Sequence, residues 1–202
     1  MTRASLELDC DVAVFGAGSA GCIAAIAAAR QGARTVLVDR LPFPGGTSTA
    51  VLDTFYAFFT AGESGRKVVA GLPDLPVEEL RARGMVRERP NSFGSGIGYT
   101  YDPETLKLVW AKLLRTSGVR VLLHSLALDV DITTDGRIDA AVVGTKAGIV
   151  RLRAHSYVDA TGDADIVHAA GLGVQADVDL QQPATLTFRL TGVDIDRYRA
   201  EA

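Results

Sequence analysis

Three glycines and one acid near the start of the chain have the spacing of a nucleotide-binding turn. Gly16, Gly18 and Gly21 follow an apolar run, residues 11–15, and an alanine-rich stretch continues directly from them. The first glycine permits a tight turn, the second lets the backbone approach a pyrophosphate, and the third lets a helix pack closely on a sheet. Asp39 ends a second apolar run, where a carboxylate can accept hydrogen bonds from ribose hydroxyls. The pattern predicts a dinucleotide site at the N-terminus of a helix.

The alanine-rich stretch has the periodicity of the helix that this site needs. Its small and apolar residues Cys22, Ala25, Ile26 and Ala29 recur at the spacing of one helix face. Gly32 follows where a C-terminal cap is expected. We therefore predict a strand, a glycine turn, a buried helix and a second parallel strand, with Cys22 as a small core residue.

A second group of small residues follows the second strand. It consists of Gly45, Gly46, Thr47 and Ser48. Backbone N–H groups and hydroxyls with little side-chain bulk suit close contact with a cofactor, whereas the alternative is a flexible loop.

A third glycine turn, Ala160-Thr161-Gly162-Asp163, follows a predicted strand over residues 156–160. Asp163 has two interpretations: the N-cap of a short helix ending before Gly171, or a carboxylate that faces a sugar-like chain. The sequence alone leaves both open.

The middle of the chain is the least regular part. A short helix is predicted over residues 76–83, closed by Gly84. Gly94, Gly96 and Gly98 lack the preceding strand and the following Lys-Ser/Thr of a phosphate loop, so we interpret them as a mobile connection.

The second half returns to regular elements. Asp102 and Pro103 predict a helix start, Gly118 closes that helix, and Trp110 lies on its apolar stripe as a core residue. Residues 119–123 then read as a buried strand of a parallel sheet.

Turn signals at Asp135-Gly136 and Ala147-Gly148 separate three alternating segments. These segments, residues 128–133, 137–144 and 149–153, predict a three-stranded antiparallel meander.

Composition excludes several classes of function. The net charge of −3 without a basic stripe argues against nucleic acid as the main partner. The sequence has no membrane-spanning run and no secretory signal, and Cys10 and Cys22 form neither a disulfide framework nor a metal motif. We expect a cytoplasmic location. His124, His155 and His168 pair with no obvious nucleophile or acid, so the catalytic residues stay unknown.

The order of these motifs resembles a known family. The glycine turn with its acid, the Gly-Gly-Thr group, the meander and Ala-Thr-Gly-Asp are similar to bacterial FAD-dependent oxidoreductases. These have a glutathione-reductase-like FAD-binding fold and are related to fumarate reductase and succinate dehydrogenase flavoproteins. The resemblance extends over most of the chain and includes Arg66-Lys-Val-Val-Ala-Gly, Tyr101-Asp-Pro-Glu-Thr-Leu-Lys, Val121-Leu-Leu-His and Gln182-Pro-Ala-Thr-Leu-Thr-Phe-Arg.

The resemblance implies FAD as the cofactor and a role for each matching residue. The first turn would hold the pyrophosphate, Asp39 the adenosine ribose, and Arg40 would flank the adenosine. The second group, which begins at Gly45, would lie close to the ribityl chain and flavin. The backbone of Ala127 would contact adenine. The implied cofactor-binding set is Gly16, Gly18, Ser19, Ala20, Gly21, Asp39, Arg40, Gly45, Gly46, Thr47, Ser48, Ala127, Gly162 and Asp163.

The resemblance also implies that this sequence is the N-terminal part of such an enzyme, because no third glycine-rich strand–helix unit follows. The first hypothesis is therefore the FAD-binding portion of an oxidoreductase that moves hydride to or from an unknown small substrate. A second is a non-catalytic chain that supplies a half-site to a partner chain or an oligomer. A third is an NAD(P)-dependent dehydrogenase, which would not need the later motifs.

The expected fold is α/β: a Rossmann-like, three-layer domain with a mainly parallel sheet, a β-meander and an irregular insertion. Residues 1–40 and 102–174 would form the FAD-binding domain and residues 41–101 an insertion lining the cleft. Residues 175–202 would begin a substrate domain.

Overall fold

The computed structural model describes residues 6–51, 55–60, 65–89, 97–174, 184 and 186–201. Its strands are β1 (Leu6–Asp9), β2 (Val12–Phe15), β3 (Thr35–Val38), β4 (Phe55–Tyr56), β5 (Val86–Arg89), β6 (Gly98–Tyr101), β7 (Arg120–Leu122), β8 (Leu126–Ile132), β9 (Ile138–Thr145), β10 (Gly148–Arg153) and β11 (Ser156–Asp159). Its helices are α1 (Ser19–Arg30), α2 (Thr47–Ala50), α3 (Asp74–Ala82), α4 (Pro103–Thr116), α5 (Asp165–Ala169) and α6 (Ile195–Glu201).

The central layer is a four-stranded parallel sheet in the order β11-β2-β3-β7. All four residues of β3 are buried, as expected for an inner strand covered on both faces. The prediction of a buried strand at 119–123 was partly wrong. β7 pairs with β3 alone and leaves Arg120 exposed, because it forms the edge of this sheet.

Two helices cover one face of the parallel sheet. Cys22 and Ile26 of α1 are buried and pack in one cluster with Leu106 and Trp110 of α4. The Asp102 carboxylate accepts a hydrogen bond from the Thr105 N–H at 2.7 Å, which confirms the predicted N-cap. The sequence pattern thus placed both helices and their buried faces correctly.

The opposite face is covered by the meander. β8, β9 and β10 pair antiparallel, as predicted, with the first strand beginning at Leu126 rather than at residue 128. The sheet gains a fourth strand that the sequence did not reveal, because β1 pairs parallel with β10. Phe15 of β2 packs in one cluster with Val143 and Leu152 of this sheet. Helices, parallel sheet and meander therefore form the three expected layers of an α/β fold.

The insertion is more regular than predicted. Its described part contains a three-stranded antiparallel sheet in the order β4-β6-β5, together with α2 and α3. Gly98, expected in a mobile connection, lies in β6, where a Cβ would meet the Phe55 ring at 2.3 Å. α3 begins at Asp74, two residues early, because that carboxylate accepts the Gly71 N–H at 3.0 Å and pairs with Lys67. Gly94 and Gly96 fall outside the described residues.

The described residues beyond 184 are mostly exposed. Leu186, Phe188 and Leu190 are each at least 70% exposed, and α6 follows them. Among all described residues, none of the helices has the length and hydropathy needed to cross a bilayer.

Candidate functional site

The first glycine turn connects the end of β2 to α1, and two of its glycines are required by packing. Gly16 has φ = 92°, and a Cβ there would lie 2.2 Å from the Ala160 carbonyl oxygen. A Cβ on Gly21 would lie 1.8 Å from the Gly16 carbonyl oxygen. These two residues therefore let the turn, α1 and the end of β11 approach each other, as the sequence predicted.

Gly18 differs from its two neighbours in the motif. A Cβ on Gly18 would meet no atom within 4 Å, and its φ of −66° is open to any residue. Gly18 is also the N-cap of α1 and supplies no side-chain hydrogen bond to the helix. Ser19 and Ala20 are the first helical residues, so the N-terminus of a twelve-residue helix faces the open space beside Gly18. Such a terminus attracts anions through its N–H groups and its dipole.

Asp39 lies at the end of β3 and is 8% exposed. Its carboxylate accepts hydrogen bonds from the backbone N–H groups of Ala17 and Leu41, the latter at 2.6 Å. Asp39 therefore fastens the glycine turn, a role that the sequence did not indicate. A carboxylate has about four lone-pair sites, so two of them stay open to a further donor such as a ribose hydroxyl.

The second glycine group packs against the first turn. The Gly45 N–H donates to the Ala17 carbonyl oxygen at 2.7 Å, and a Cβ on Gly46 would lie 2.8 Å from the Gly18 Cα. Gly46 has φ = 54° and precedes α2, which contains Thr47 and Ser48. The contact between the two loops explains these glycines without a ligand, and it brings α2 beside the start of α1.

A cluster of hydroxyl groups joins the two loops to the insertion. The Ser19 hydroxyl lies 2.9 Å from the Ser48 hydroxyl and 3.0 Å from the Tyr56 hydroxyl. Burial raises the pKa of Tyr56, so its phenol stays neutral. Tyr101 adds a hydrogen bond to the Ser48 carbonyl oxygen at 3.2 Å. Tyr56 could not be recognised from the sequence, because its partners Ser19 and Trp110 lie far from it along the chain.

The third turn is organised by Asp159 and not by Asp163. Asp159 accepts hydrogen bonds from the N–H groups of Thr161, Ile166 and Val167 at 2.9–3.0 Å, and from the Thr161 hydroxyl at 2.7 Å. Burial alone would raise the pKa of Asp159, but these hydrogen bonds outweigh it and lower the pKa. The N-cap interpretation of Asp163 is wrong, because the cap of α5 is Ala164 in a left-handed conformation.

The first and third turns border an open cleft at the carboxyl ends of β2 and β3. Its walls include four residues of the predicted site, namely Gly16, Asp39, Arg40 and Ala127. Ala127 reaches the cleft from β8 of the meander. The carboxyl ends of parallel strands are where ligands bind in sheets of this type.

The rim of the cleft carries one positively and one negatively charged side chain. The Arg40 guanidinium lies 4.0 Å from the Asp163 carboxylate, and both side chains are mostly exposed. Gly162 beside them has φ = 88° and open space at its Cβ position. Gly162 and Asp163 follow Thr161, which lines the cleft, but neither of them is among the lining residues. The carboxylate interpretation of Asp163 stays a prediction.

Within the described part of the chain, no group of three or more His, Cys, Asp or Glu side chains could hold a metal ion. Cys10 and Cys22 are both buried free thiols, and burial raises the pKa of Cys10 to about 11. His155 lies near Asp11 on the surface, on the side of β1 and β10.

Comparison with known proteins decides the family. The model of the family described as FAD dependent oxidoreductase matches residues 11–202. The chain belongs to the FAD-dependent oxidoreductase family. FAD is accordingly the cofactor that this membership assigns.

Individual relatives of this family member have low sequence identity to the chain. The chain is 26% identical over 199 residues to the digeranylgeranylglycerophospholipid reductase of Thermoplasma volcanium, covering 92% of this chain and 48% of that protein. The chain thus spans about half the length of the curated relatives that it matches.

Solved structures share the fold of this family member. The geranylgeranyl bacteriochlorophyll reductase-like protein of Thermoplasma acidophilum superimposes with a TM-score of 0.58 at 20% identity, over 84% of this chain and 44% of that one. The open conformation of a flavocytochrome c3 fumarate reductase gives a TM-score of 0.55 at 23% identity, over 75% and 33%.

The residues of this family member fit FAD. The uncapped start of α1 and the open space beside Gly18 suit a pyrophosphate, and the spare lone pairs of Asp39 suit ribose hydroxyls. A Cβ on Gly162, in the third turn, would also meet no atom within 4 Å.

Proposed function

We propose that this chain is the FAD-binding portion of an oxidoreductase whose cofactor lies along the cleft between the two sheets. The observation that carries the proposal is Gly18: its backbone needs no glycine and its neighbourhood leaves a Cβ free, yet it caps the start of α1. Open space at the N-terminus of a helix is what a pyrophosphate requires.

Within this proposal the residues bind and orient the cofactor, which supplies hydride chemistry when bound. Gly16 and Gly21 shape the turn, while Gly18, Ser19 and Ala20 face the pyrophosphate. Asp39 binds the adenosine ribose and Arg40 flanks the adenosine. The backbone of Ala127 contacts the adenine. The residues assigned to the ribityl chain and flavin are Gly45, Gly46, Thr47 and Ser48. Gly162 and Asp163 are assigned to the pyrophosphate and ribityl side.

The activity of the whole protein is part of the same proposal. It is hydride transfer between the flavin and a small substrate, in a cytoplasmic protein with two reduced cysteines and with neither a nucleic acid partner nor a disulfide. The digeranylgeranylglycerophospholipid reductase of Thermoplasma volcanium acts, by its name, on a geranylgeranyl lipid, which makes an isoprenoid substrate the first to test. A chain that only supplies a half-site to a partner is the second candidate.

The experiment that tests cofactor binding is an FAD titration followed by flavin fluorescence. The informative variant is Gly18→Ala, because its backbone accepts alanine without strain while the new methyl group occupies the proposed pyrophosphate space. We expect saturable binding by the unaltered chain and a loss of at least tenfold in affinity for the variant.

The matched control is Gly173→Ala, since Gly173 also has open space at its Cβ position but follows α5 and is not at the start of α1. It should bind FAD like the unaltered chain. Equal affinity of the Gly18→Ala variant and the unaltered chain would contradict the proposed pyrophosphate position. A folded chain without FAD binding would favour the half-site candidate.

A further inference from the structure

A chain of four polar groups connects the core of the helical layer to the start of α1. Trp110 of α4 and Tyr56 of β4 are buried, whereas Ser19 and Ser48 are half-buried. The Tyr56 hydroxyl lies 3.0 Å from the Ser19 hydroxyl, which lies 2.9 Å from the Ser48 hydroxyl. The chain of groups thus ends at the first residue of α1, beside Gly18.

The indole of Trp110 gives this chain a direction, because an indole N–H can only donate whereas a hydroxyl both donates and accepts. Among the described residues, the Trp110 Nε1 has no partner that meets full hydrogen-bond geometry. It nevertheless lies near enough to the Tyr56 phenol to counteract the rise in pKa that burial causes there. A donor has this effect because it stabilises the charged phenolate. Since the Tyr56 oxygen meets a donor on one side, its own proton points to the other side, where the Ser19 oxygen accepts it.

Packing holds the Tyr56 ring in this position. The ring stacks on Phe58 with 5.4 Å between the ring centroids, and its centroid lies 4.6 Å from that of Tyr101. The position of the phenol oxygen is therefore fixed by the insertion, independently of a ligand.

The Ser19 hydroxyl keeps a proton that it can donate to a ligand. Ser19 has one proton and two lone pairs, and the Tyr56 proton occupies one of those lone pairs. The Ser48 hydroxyl can turn its proton to the Ser19 oxygen, or to the Tyr56 oxygen that it also approaches. Either choice releases the Ser19 proton for an acceptor beside α1, where the first N–H groups of the helix also lack intrahelical partners.

We propose that Trp110 and Tyr56 are positioning residues for FAD, because they direct the Ser19 hydroxyl as a donor to the pyrophosphate. This inference rests on the proposed function, which puts the pyrophosphate at the start of α1. Each hydrogen bond of such a chain polarises the next, so a hydroxyl that accepts the Tyr56 proton is itself a stronger donor. The charge of the phosphate strengthens the last bond further. The insertion and α4 thus contribute to cofactor affinity through Ser19.

FAD affinity in single and double variants tests this chain of hydrogen bonds. Ser19→Ala removes the donor and should weaken FAD binding about tenfold, the effect of one hydrogen bond to a charged group. Tyr56→Phe keeps the ring but leaves the Ser19 hydroxyl free among its staggered positions, which should weaken binding about threefold. In the Ser19→Ala background, Tyr56→Phe should have no further effect, because no hydroxyl is left to direct.

The matched control for Tyr56→Phe is Tyr99→Phe. Tyr99 is also a buried tyrosine, and its ring packs against Phe58 at 5.8 Å between the centroids. Its hydroxyl is not part of the chain that leads to Ser19. Tyr99→Phe should therefore bind FAD like the unaltered protein.

The indole N–H signal separates this positioning role from a general loosening of the loops. Trp110 is the only tryptophan of the protein, so a ¹⁵N-labelled sample gives one such signal. When Ser19 donates to a phosphate, the Tyr56 oxygen becomes a better acceptor, so saturation with FAD should move the signal downfield. The change should be lost in Ser19→Ala saturated with FAD, a sample that still contains the flavin ring and controls for its direct effect.

Equal FAD affinity of Tyr56→Phe and the unaltered protein would overturn the inference. So would an effect of Tyr56→Phe that persists in the Ser19→Ala background, or an indole signal that FAD moves equally with and without the Ser19 hydroxyl. If Tyr56→Phe fails to fold, Ser19→Ala and the indole signal still decide.

Failure of this inference is distinguishable from failure of the proposed function. FAD binding that Gly18→Ala weakens and that Ser19→Ala and Tyr56→Phe leave unchanged would contradict the positioning role alone. A folded, unaltered protein that does not bind FAD would contradict the proposed function and the positioning role with it.

Discussion

At the scale of single residues, the carboxylates near the site have structural roles that the sequence motifs do not indicate. Asp39 has the position of a ribose ligand, yet both of its oxygens already accept backbone N–H groups of the loops at the cleft. Asp159 has no place in a binding motif, yet it accepts four hydrogen bonds that shape the third turn. The geometry of the cleft thus depends on these two acids.

Asp39→Asn should destabilise the fold even without a ligand. The amide can replace only one of the two acceptor oxygens, and a buried N–H without an acceptor costs about 1–3 kcal/mol. We expect a loss of that size in the free energy of unfolding, measured by urea denaturation. The exposed Glu78→Gln should change it by less than about 0.5 kcal/mol. Equal stability of Asp39→Asn and the unaltered chain would contradict the fastening role.

Asp159→Asn should alter how stability depends on pH. The pKa of Asp159 is lowered in the fold, so its contribution is complete above the ordinary value of about 3.9 and is lost as the pH falls through the lower folded value. The variant should be less stable at neutral pH by about 1–3 kcal/mol. This difference should shrink below about pH 4.

Urea denaturation at a series of pH values measures that difference. Asp163→Asn is the matched control, because its carboxylate is exposed and its ion pair with Arg40 has a distance of 4.0 Å. A difference between Asp159→Asn and the unaltered chain that stays constant down to acid pH would show that the hydrogen bonds do not depend on the charge.

At the scale of elements, the sequence was sufficient to predict a helix or strand that has local signals. It was not sufficient for strands whose pairing depends on long-range contacts. The helix α4 was predicted because its cap, its first proline and its apolar stripe are all local. The strand β1 was missed because four residues with little burial have no detectable pattern. The sheet of the insertion was missed for a similar reason, since β4 has two residues and pairs with β6 more than forty residues later.

The residues of the candidate site also differ in whether the sequence could predict them. The glycines of the first turn and Asp39 follow a fixed spacing, so they could be found from the sequence. Tyr56 could not, because it meets Ser19 across 37 residues and its neighbourhood depends on the fold of the insertion. Asp159 was overlooked because its partners lie up to eight residues beyond it, within a turn whose shape it creates.

The hydroxyl cluster gives a prediction about how the insertion is joined to α1. Tyr56→Phe keeps the ring in its stack with Phe58 and removes only the hydroxyl that meets Ser19. We expect the free energy of unfolding to fall by about 0.5–1.5 kcal/mol, the net value of one hydrogen bond. Tyr198→Phe, at an exposed position, is the control and should have no effect. An unchanged stability for Tyr56→Phe would show that the cluster does not hold the loops together.

At the scale of the whole molecule, the cleft lies where separate parts of the fold meet. Gly16 and Asp39 come from the parallel sheet, Ala127 from the meander, and Thr161 from the turn after β11. The insertion reaches the same region through Ser48 beside Ser19. A ligand that extends from the cleft to the start of α1 would contact all of these parts at once. Its binding would therefore oppose their separation.

FAD should therefore stabilise the entire chain against unfolding. At a free concentration one hundred times the dissociation constant, a ligand that binds only the folded state adds about 2.7 kcal/mol. We expect this increase for the unaltered chain and for Gly173→Ala, and about half of it or less for Gly18→Ala, whose methyl group occupies the proposed pyrophosphate space and should weaken binding at least tenfold. The measurement is urea denaturation with and without FAD. An increase that is equal in all three proteins would mean that FAD binds the chain away from the glycine turn.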